Sequence, residues 1–176
     1  MTVTQACPRL RELSLDGVEN LTDDALGRIA AARRGALSSL SLRKCVQLSD
    51  GAIEGLAAAC GGACSRARTA FRHRARVGRS HARLRRVSSG VLAHLSLNNV
   101  PALGDACLVA LKEHCADSLE SLDLSWCRAV SDNGVGALVD AAPRLQRLTV
   151  WGCSQLTNRF YEGHSREHLR VVGRSI

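Results

Sequence analysis

The sequence predicts an α/β fold, a right-handed solenoid of about five strand–turn–helix repeats of 26–27 residues. Three observations predict it. First, five stretches align without internal gaps: LRELSLDGVENLTD from Leu10, LSSLSLRKCVQLSD from Leu37, LAHLSLNNVPALGD from Leu92, LESLDLSWCRAVSD from Leu119 and LQRLTVWGCSQLTN from Leu145. They start 27, 55, 27 and 26 residues apart, and the long step is one repeat of 27 plus 28 extra residues. Second, each stretch holds a leucine-x-leucine alternation of period two, which suits a short strand with one buried face. Third, a Ser/Thr-Asp pair, the signal for a helix N-cap, follows in most copies and leads into apolar residues at helical spacing.

The alternation places strands near Glu12–Leu15, Ser39–Leu42, His94–Leu97, Ser121–Leu124 and Arg147–Val150. Thr22-Asp23, Ser49-Asp50 and Ser131-Asp132 mark helix starts. The helices then bury Ala25, Leu26, Ile29 and Ala30; Ile53, Leu56 and Ala57; Leu108 and Leu111; and Val135, Leu138 and Val139. One such unit cannot cover its own leucines. Stacking buries them at roughly 1.5–3 kcal/mol per large aliphatic side chain, with parallel strands inside the curve and helices outside.

The consensus LxxLxLxx(C/V)xxL(S/T/G)(D/N) resembles the leucine-rich repeat, in its cysteine-containing subtype, which is found mainly in F-box-type ubiquitin-ligase subunits. Cys45, Cys127 and Cys153 match the first cysteine position of that subtype, where Val18 and Val100 substitute, and Cys60 and Cys115 match the second. The resemblance implies a ribonuclease-inhibitor-like solenoid that recognises a substrate or partner within a cullin-type ligase.

Eight cysteines also admit a metal or disulfide reading. The repeat positions favour small buried hydrophobes instead, with Cys7 as a sixth of the same kind. Free buried thiols suit a reducing compartment, nucleus or cytoplasm. Cys60 and Cys64 with His73 and His81 miss the spacings of a zinc finger. No metal and no cofactor is expected.

The net charge of +8 is local. Residues 64–91 hold nine arginines, among them Arg72, Arg74, Arg76, Arg83, Arg85 and Arg86, and no acid; without them the chain carries a net charge of −1. This segment starts where a strand leucine is due after Cys60-Gly61-Gly62-Ala63 and ends before Leu92. The chain therefore divides into repeats at 1–63, an arginine-rich insertion at 64–91, and repeats with a C-terminal cap at 92–176. The leading reading of the insertion is a translated intron or similar gene-model artefact. A disordered basic loop, or a basic segment for nuclear import or phosphate contact, are the alternatives. Cys7-Pro8-Arg9-Leu10 reads like the close of an earlier repeat, comparable to Ala142-Pro143-Arg144-Leu145, so the chain is expected to be a fragment or an incomplete gene model.

Aromatics are 3% of residues, too few for stacking along single-stranded nucleic acid. No stretch approaches 18 uncharged apolar residues, so no membrane span is expected. GxSxG, HExxH, GxxxxGK(S/T) and the dinucleotide-binding glycine fingerprint do not occur, and an enzyme is not expected. His164, in the run Glu162-Gly163-His164-Ser165, reads as a polar cap or loop residue.

A solenoid usually binds through its concave strand face. Side-chain alternation puts Asp16, Arg43, His94, Asn98, Asp123, Arg147 and Trp151 there, and Arg and Trp are the types that anchor interfaces. The run from Trp151 to Ser165, followed by Leu169-Arg170-Val171-Val172-Gly173, resembles the closing segment of the leucine-rich-repeat proteins of global-genome nucleotide-excision repair, with Asn158 where that family has aspartate. That resemblance implies a non-enzymatic recognition subunit, monomeric within a larger complex, whose partners are a protein substrate or ligase subunits. Nucleic-acid or chromatin binding through the basic insertion is the alternative.

Overall fold

The computed structural model describes residues 10–32, 36–61, 92–164 and 166–173. Among these, strands and helices alternate strictly: β1 (Glu12–Ser14), α1 (Asp23–Ala32), β2 (Ser39–Ser41), α2 (Asp50–Gly61), β3 (His94–Ser96), α3 (Asp105–His114), β4 (Ser121–Asp123), α4 (Asp132–Ala141), β5 (Arg147–Thr149), α5 (Asn158–Gly163) and β6 (Arg170–Val172). The six strands form one open sheet in chain order, every pair parallel. The central apolar residues stand in one row: Leu13, Leu40, Leu95, Leu122, Leu148 and Val171. All five expected strands are present, shortened to three residues each.

β2 pairs directly with β3 in that register, and α2 packs on α3. The segments on either side of residues 64–91 are therefore consecutive repeats. Those residues, and with them Cys64, His73, His81 and the arginines of the insertion, lie outside the described residues, as do Cys7 and the Pro8-Arg9 pair.

Between the sheet and the helices runs one continuous apolar core, from Leu21 and Leu26 at one end to Phe160 and Leu169 at the other. After each strand the chain must turn sharply toward the helix layer, and one position makes that turn in every repeat. Gly17, Lys44, Asn99, Trp126 and Gly152 all have φ between 57° and 74°, the left-handed region. The same position donates its backbone N–H to the next repeat: Gly17 to the Arg43 carbonyl at 2.8 Å, Lys44 to Asn98 at 2.8 Å, Asn99 to Ser125 at 2.7 Å and Trp126 to Trp151 at 2.6 Å.

The cysteines belong to the same system. All six that are described are free and buried. The thiols of Cys45, Cys127 and Cys153 donate to the carbonyls of Leu15, Leu97 and Leu124, each in the preceding repeat, at 3.1–3.2 Å. Valine at 18 and 100 fills this position without that bond. Burial pushes the thiols of Cys60 and Cys153 up to about 11 and that of Cys127 up to about 12, and raises those of Cys45 and Cys107 as well. Two results are expected. At pH 8 the native chain leaves these six thiols unreacted toward an alkylating reagent, and unfolding exposes them. Stability is full below the unfolded thiol range and falls as pH rises from about 9 toward 11, because the unfolded chain ionises first. A native chain that alkylates rapidly at all six sites contradicts both.

The helix starts hold a ladder of aspartates. Asp23, Asp50, Asp105 and Asp132 each occupy the first helical position, where a carboxylate suits the helix dipole. Each reaches forward to the cap residue of the next repeat. Asp23 accepts the Ser49 N–H at 3.0 Å and its hydroxyl; Asp105 accepts the Ser131 N–H at 2.8 Å and its hydroxyl; Asp132 accepts the Thr157 N–H at 2.8 Å and its hydroxyl. At Gly104 no cap side chain exists, and Asp50 takes over that duty, accepting both the Gly104 N–H at 2.8 Å and the Cys107 N–H at 3.3 Å. Thr22 and Ser131 cap their own helices through the N–H groups of Ala25 and Gly134, as their sequence position suggests.

This ladder inverts the usual expectation for one glycine. Replacing a helical glycine with alanine commonly gains about 0.5–1 kcal/mol. At Gly136 a Cβ meets open space, and Gly136→Ala is expected to stabilise by that amount. At Gly134, two residues away in the same helix, a Cβ falls on the Asp105 carboxylate and displaces it. Hydrogen bonds to charged groups contribute about 1.5–3 kcal/mol each, so Gly134→Ala is expected to destabilise. Urea midpoints that move in the same direction for both variants would contradict the ladder.

Candidate protein-interaction face

The strand row that carries the buried leucines leaves its alternate positions on the opposite, outer face of the sheet. Glu12, Ser39, His94, Ser121, Arg147 and Arg170 form one column across the six strands, and Ser14, Ser41, Ser96, Asp123, Thr149 and Val172 form the next. Asp16, Arg43, Asn98, Ser125 and Trp151 follow one step beyond. Each candidate binding residue named from the sequence thus stands on one face. Asp16, Arg43, His94, Arg147 and Trp151 are exposed, and Asn98 and Asp123 are half-buried.

Several of these side chains are already engaged. Asp16 accepts the Ser41 hydroxyl and the Arg43 N–H at 3.0 Å. Partial burial pulls its carboxyl upward, but hydrogen bonds from Ser41, Arg43 and Ser14 outweigh this and hold it below its ordinary value. Asp123 accepts the Ser125 N–H at 2.9 Å and hydroxyl at 2.6 Å, and the Ser96 hydroxyl at 3.4 Å. Ser125, which alternation also placed on this face, is only 2% exposed. The acids therefore organise the surface, while the arginines and Trp151 remain available to a partner.

Two residues of this face went unnoticed in the sequence. Arg170 joins the first column because β6 continues the sheet. Trp126 occupies a left-handed turn position, is 48% exposed, and has the Arg128 guanidinium 5.9 Å from its ring centre. The turn position that Trp126 shares with Gly17, Lys44, Asn99 and Gly152 carries the signal for it, whereas Arg170 lies on a strand whose flanking leucines are missing.

Elsewhere, His164 caps the C-terminal end of α5, its ring 6.1 Å from that of Phe160. Among the described residues no group of three or more His, Cys, Asp or Glu side chains could hold a metal ion, and no helix is long and apolar enough to cross a membrane. A shallow cleft of about 430 Å³ beside α4 and α5 gathers Asp132, Asp140, Arg159 and His164, and it lies away from the strand face.

No family model matches the chain. It is similar to the DNA repair protein rhp7 of Schizosaccharomyces pombe, with 28% identity over 149 residues, which are 83% of this chain and 21% of that protein. Its structure is similar to Rad7 in a crystal structure of the yeast Rad7 and Elc1 complex, with a TM-score of 0.66 and 28% identity over 92% of this chain and 32% of that one. The chain thus spans about a fifth of the curated relative and a third of the solved one. Neither relative's name denotes an enzyme. The cysteine-containing leucine-rich-repeat solenoid and the likeness to a nucleotide-excision-repair protein, both read from the sequence, agree with these two matches.

Proposed function

We propose that this chain is a non-enzymatic recognition module of DNA repair. Its strand face, centred on Arg43, His94, Asn98, Arg147 and Trp151 with Asp16 and Asp123 as organisers, holds a protein partner within a ubiquitin-ligase assembly in the nucleus. The observation that carries this reading is the match to rhp7 along most of the chain, joined to the same solenoid in a Rad7 solved together with Elc1. The three-part organisation, with repeats at 1–63 and 92–176 around an arginine-rich insertion, is part of the proposal; the direct β2–β3 pairing supports it.

Cells deprived of the chain are expected to remove ultraviolet photoproducts from their DNA more slowly, and re-expression is expected to restore the rate. An unchanged removal rate overturns the reading. The second reading, nucleic-acid contact through Arg72, Arg74, Arg76, Arg83, Arg85 and Arg86, draws on the nine arginines and absent acids of residues 64–91.

A further inference from the structure

We propose that the C-terminal end of the strand face, where Arg147 stands beside Arg170 and Trp126 beside the Trp151–Gly152 turn, binds an extended acidic protein segment: adjacent carboxylates followed a few residues later by an apolar side chain. This rests on the strand face being the partner surface and specifies the chemistry of the partner.

The first support is the arginine pair. Arg147 and Arg170 are register neighbours on parallel strands, about 4.8 Å apart along the hydrogen-bonding direction. Both are exposed, and neither has an ion-pair partner among the described residues. The acids on and leading into β4 are spoken for: Glu120 pairs with Arg144, and Asp123 is held by Ser125 and Ser96. Like charges set side by side on a sheet repel. A carboxylate ligand relieves that repulsion, and arginine's planar fork favours it with two parallel hydrogen bonds.

The second support is the tryptophan pair. Trp151 lies four residues along the same face from Arg147, about 13 Å at strand rise. Trp126 and Trp151 are 48% and 51% exposed, and they are the only two tryptophans in the chain. Trp126 is fixed rather than loose. Its backbone is left-handed, and its indole lies over the next turn, where a Cβ on Gly152 would fall 2.6 Å from its Cε3. Aromatic anchors beside arginines are the side chains that dominate protein interfaces.

The third support is polarity along the face. Glu12 and Asp16 stand at the β1 end and Arg147 and Arg170 at the β5–β6 end. A nucleic-acid strand needs a run of phosphate contacts, whereas Arg43, the arginine of this face near the β1 end, stands against Asp16, which leaves Arg147 and Arg170 as the side-by-side arginine pair of the face. A short acidic protein segment matches this distribution.

The full chain is titrated with a twelve-residue peptide that lacks tryptophan and tyrosine and carries two adjacent glutamates with a phenylalanine four residues on. Controls are its lysine-for-glutamate counterpart and a twelve-nucleotide thymidine strand. Fluorescence excited selectively at tryptophan, which leaves Tyr161 dark, reports only Trp126 and Trp151. The expected result is a saturable blue shift with the acidic peptide alone, weakened about tenfold or more in R147E/R170E, equivalent to about 1.4 kcal/mol. The double reversal also separates this patch from the arginines of residues 64–91, and R147Q/R170Q with an unchanged melting temperature serves if the reversal fails to fold. The proposal is overturned by no saturable shift at millimolar peptide, by equal affinity in the variants, or by binding of the thymidine strand that the variants abolish. A chain that restores photoproduct removal yet shows no such binding sinks this inference and leaves the repair reading standing. Peptide binding with unaltered repair does the reverse.

Discussion

Leu122→Ala is expected to cost the fold roughly 2–5 kcal/mol, the range for truncating a buried leucine, while Ser121→Ala costs next to nothing. Leu122 is fully buried and sits in register between Leu95 and Leu148, at the centre of the six-strand row. Removing three carbons there leaves a void that both neighbouring repeats line, and a three-residue strand has little freedom to collapse into it. Ser121, one residue earlier, points to the outer face, is half-buried and makes no side-chain hydrogen bond among those described. Because each repeat is stabilised chiefly by its neighbours, loss at the middle of the array weakens both halves. Urea denaturation of the two variants tests this. Equal midpoints mean that the register is wrong.

Deleting residues 64–91 is expected to preserve the solenoid and to abolish nucleic-acid affinity. The join runs Gly61-Gly62-Ala63-Leu92 and restores the 27-residue repeat spacing. β2 and β3 already pair, so no strand partner is lost. Nine arginines leave together, and the remaining net charge is near neutral. Any DNA affinity of the intact chain is sequence-independent and falls by about 10³–10⁵ between 50 and 200 mM salt if six to ten phosphates are contacted. Circular dichroism and a salt-dependent binding isotherm check the two halves of the prediction. A deletion variant that melts several degrees lower makes the segment structural, and DNA binding that survives the deletion moves the site to the repeats.

The strands were legible because leucine-x-leucine at a fixed period admits few other folds. The sixth was not. In the run His168-Leu169-Arg170-Val171-Val172-Gly173, only Val171 keeps a large aliphatic at a row position, with His168 and Gly173 standing where the flanking leucines of other repeats fall. The short helix α5 also shortens the step from Leu148 to Val171 to 23 residues. Cys107 matched neither cysteine position, yet it is buried, because it occupies the second residue after the helix-start aspartate, where other repeats carry Ala25, Ala52 and Gly134. The outer face was legible by alternation alone, but which of its groups are free was not. That depends on bonds between repeats, such as those holding Asp16 and Asp123, which a linear pattern does not encode.

Asn158 shows the same limit. Sequence comparison registers it as a departure at a cap, whereas the structure gives the position a second duty. Each aspartate of the ladder serves the helix that follows it. The bonds that link neighbouring repeats through the four helix-start aspartates and through the thiols of Cys45, Cys127 and Cys153 run from a later donor to an earlier acceptor. Synthesis delivers the chain N-terminus first, so the starts of α2 to α5 each meet a carboxylate, and the thiols of Cys45, Cys127 and Cys153 each a carbonyl, that is already in place on the ribosome-distal side. The array grows like a stack whose last course is always ready for the next. Loss of the most recent repeat merely returns an aspartate to water, whereas loss of the repeat that holds α2 takes Asp50 from the start of α3, where Gly104 supplies no cap side chain of its own.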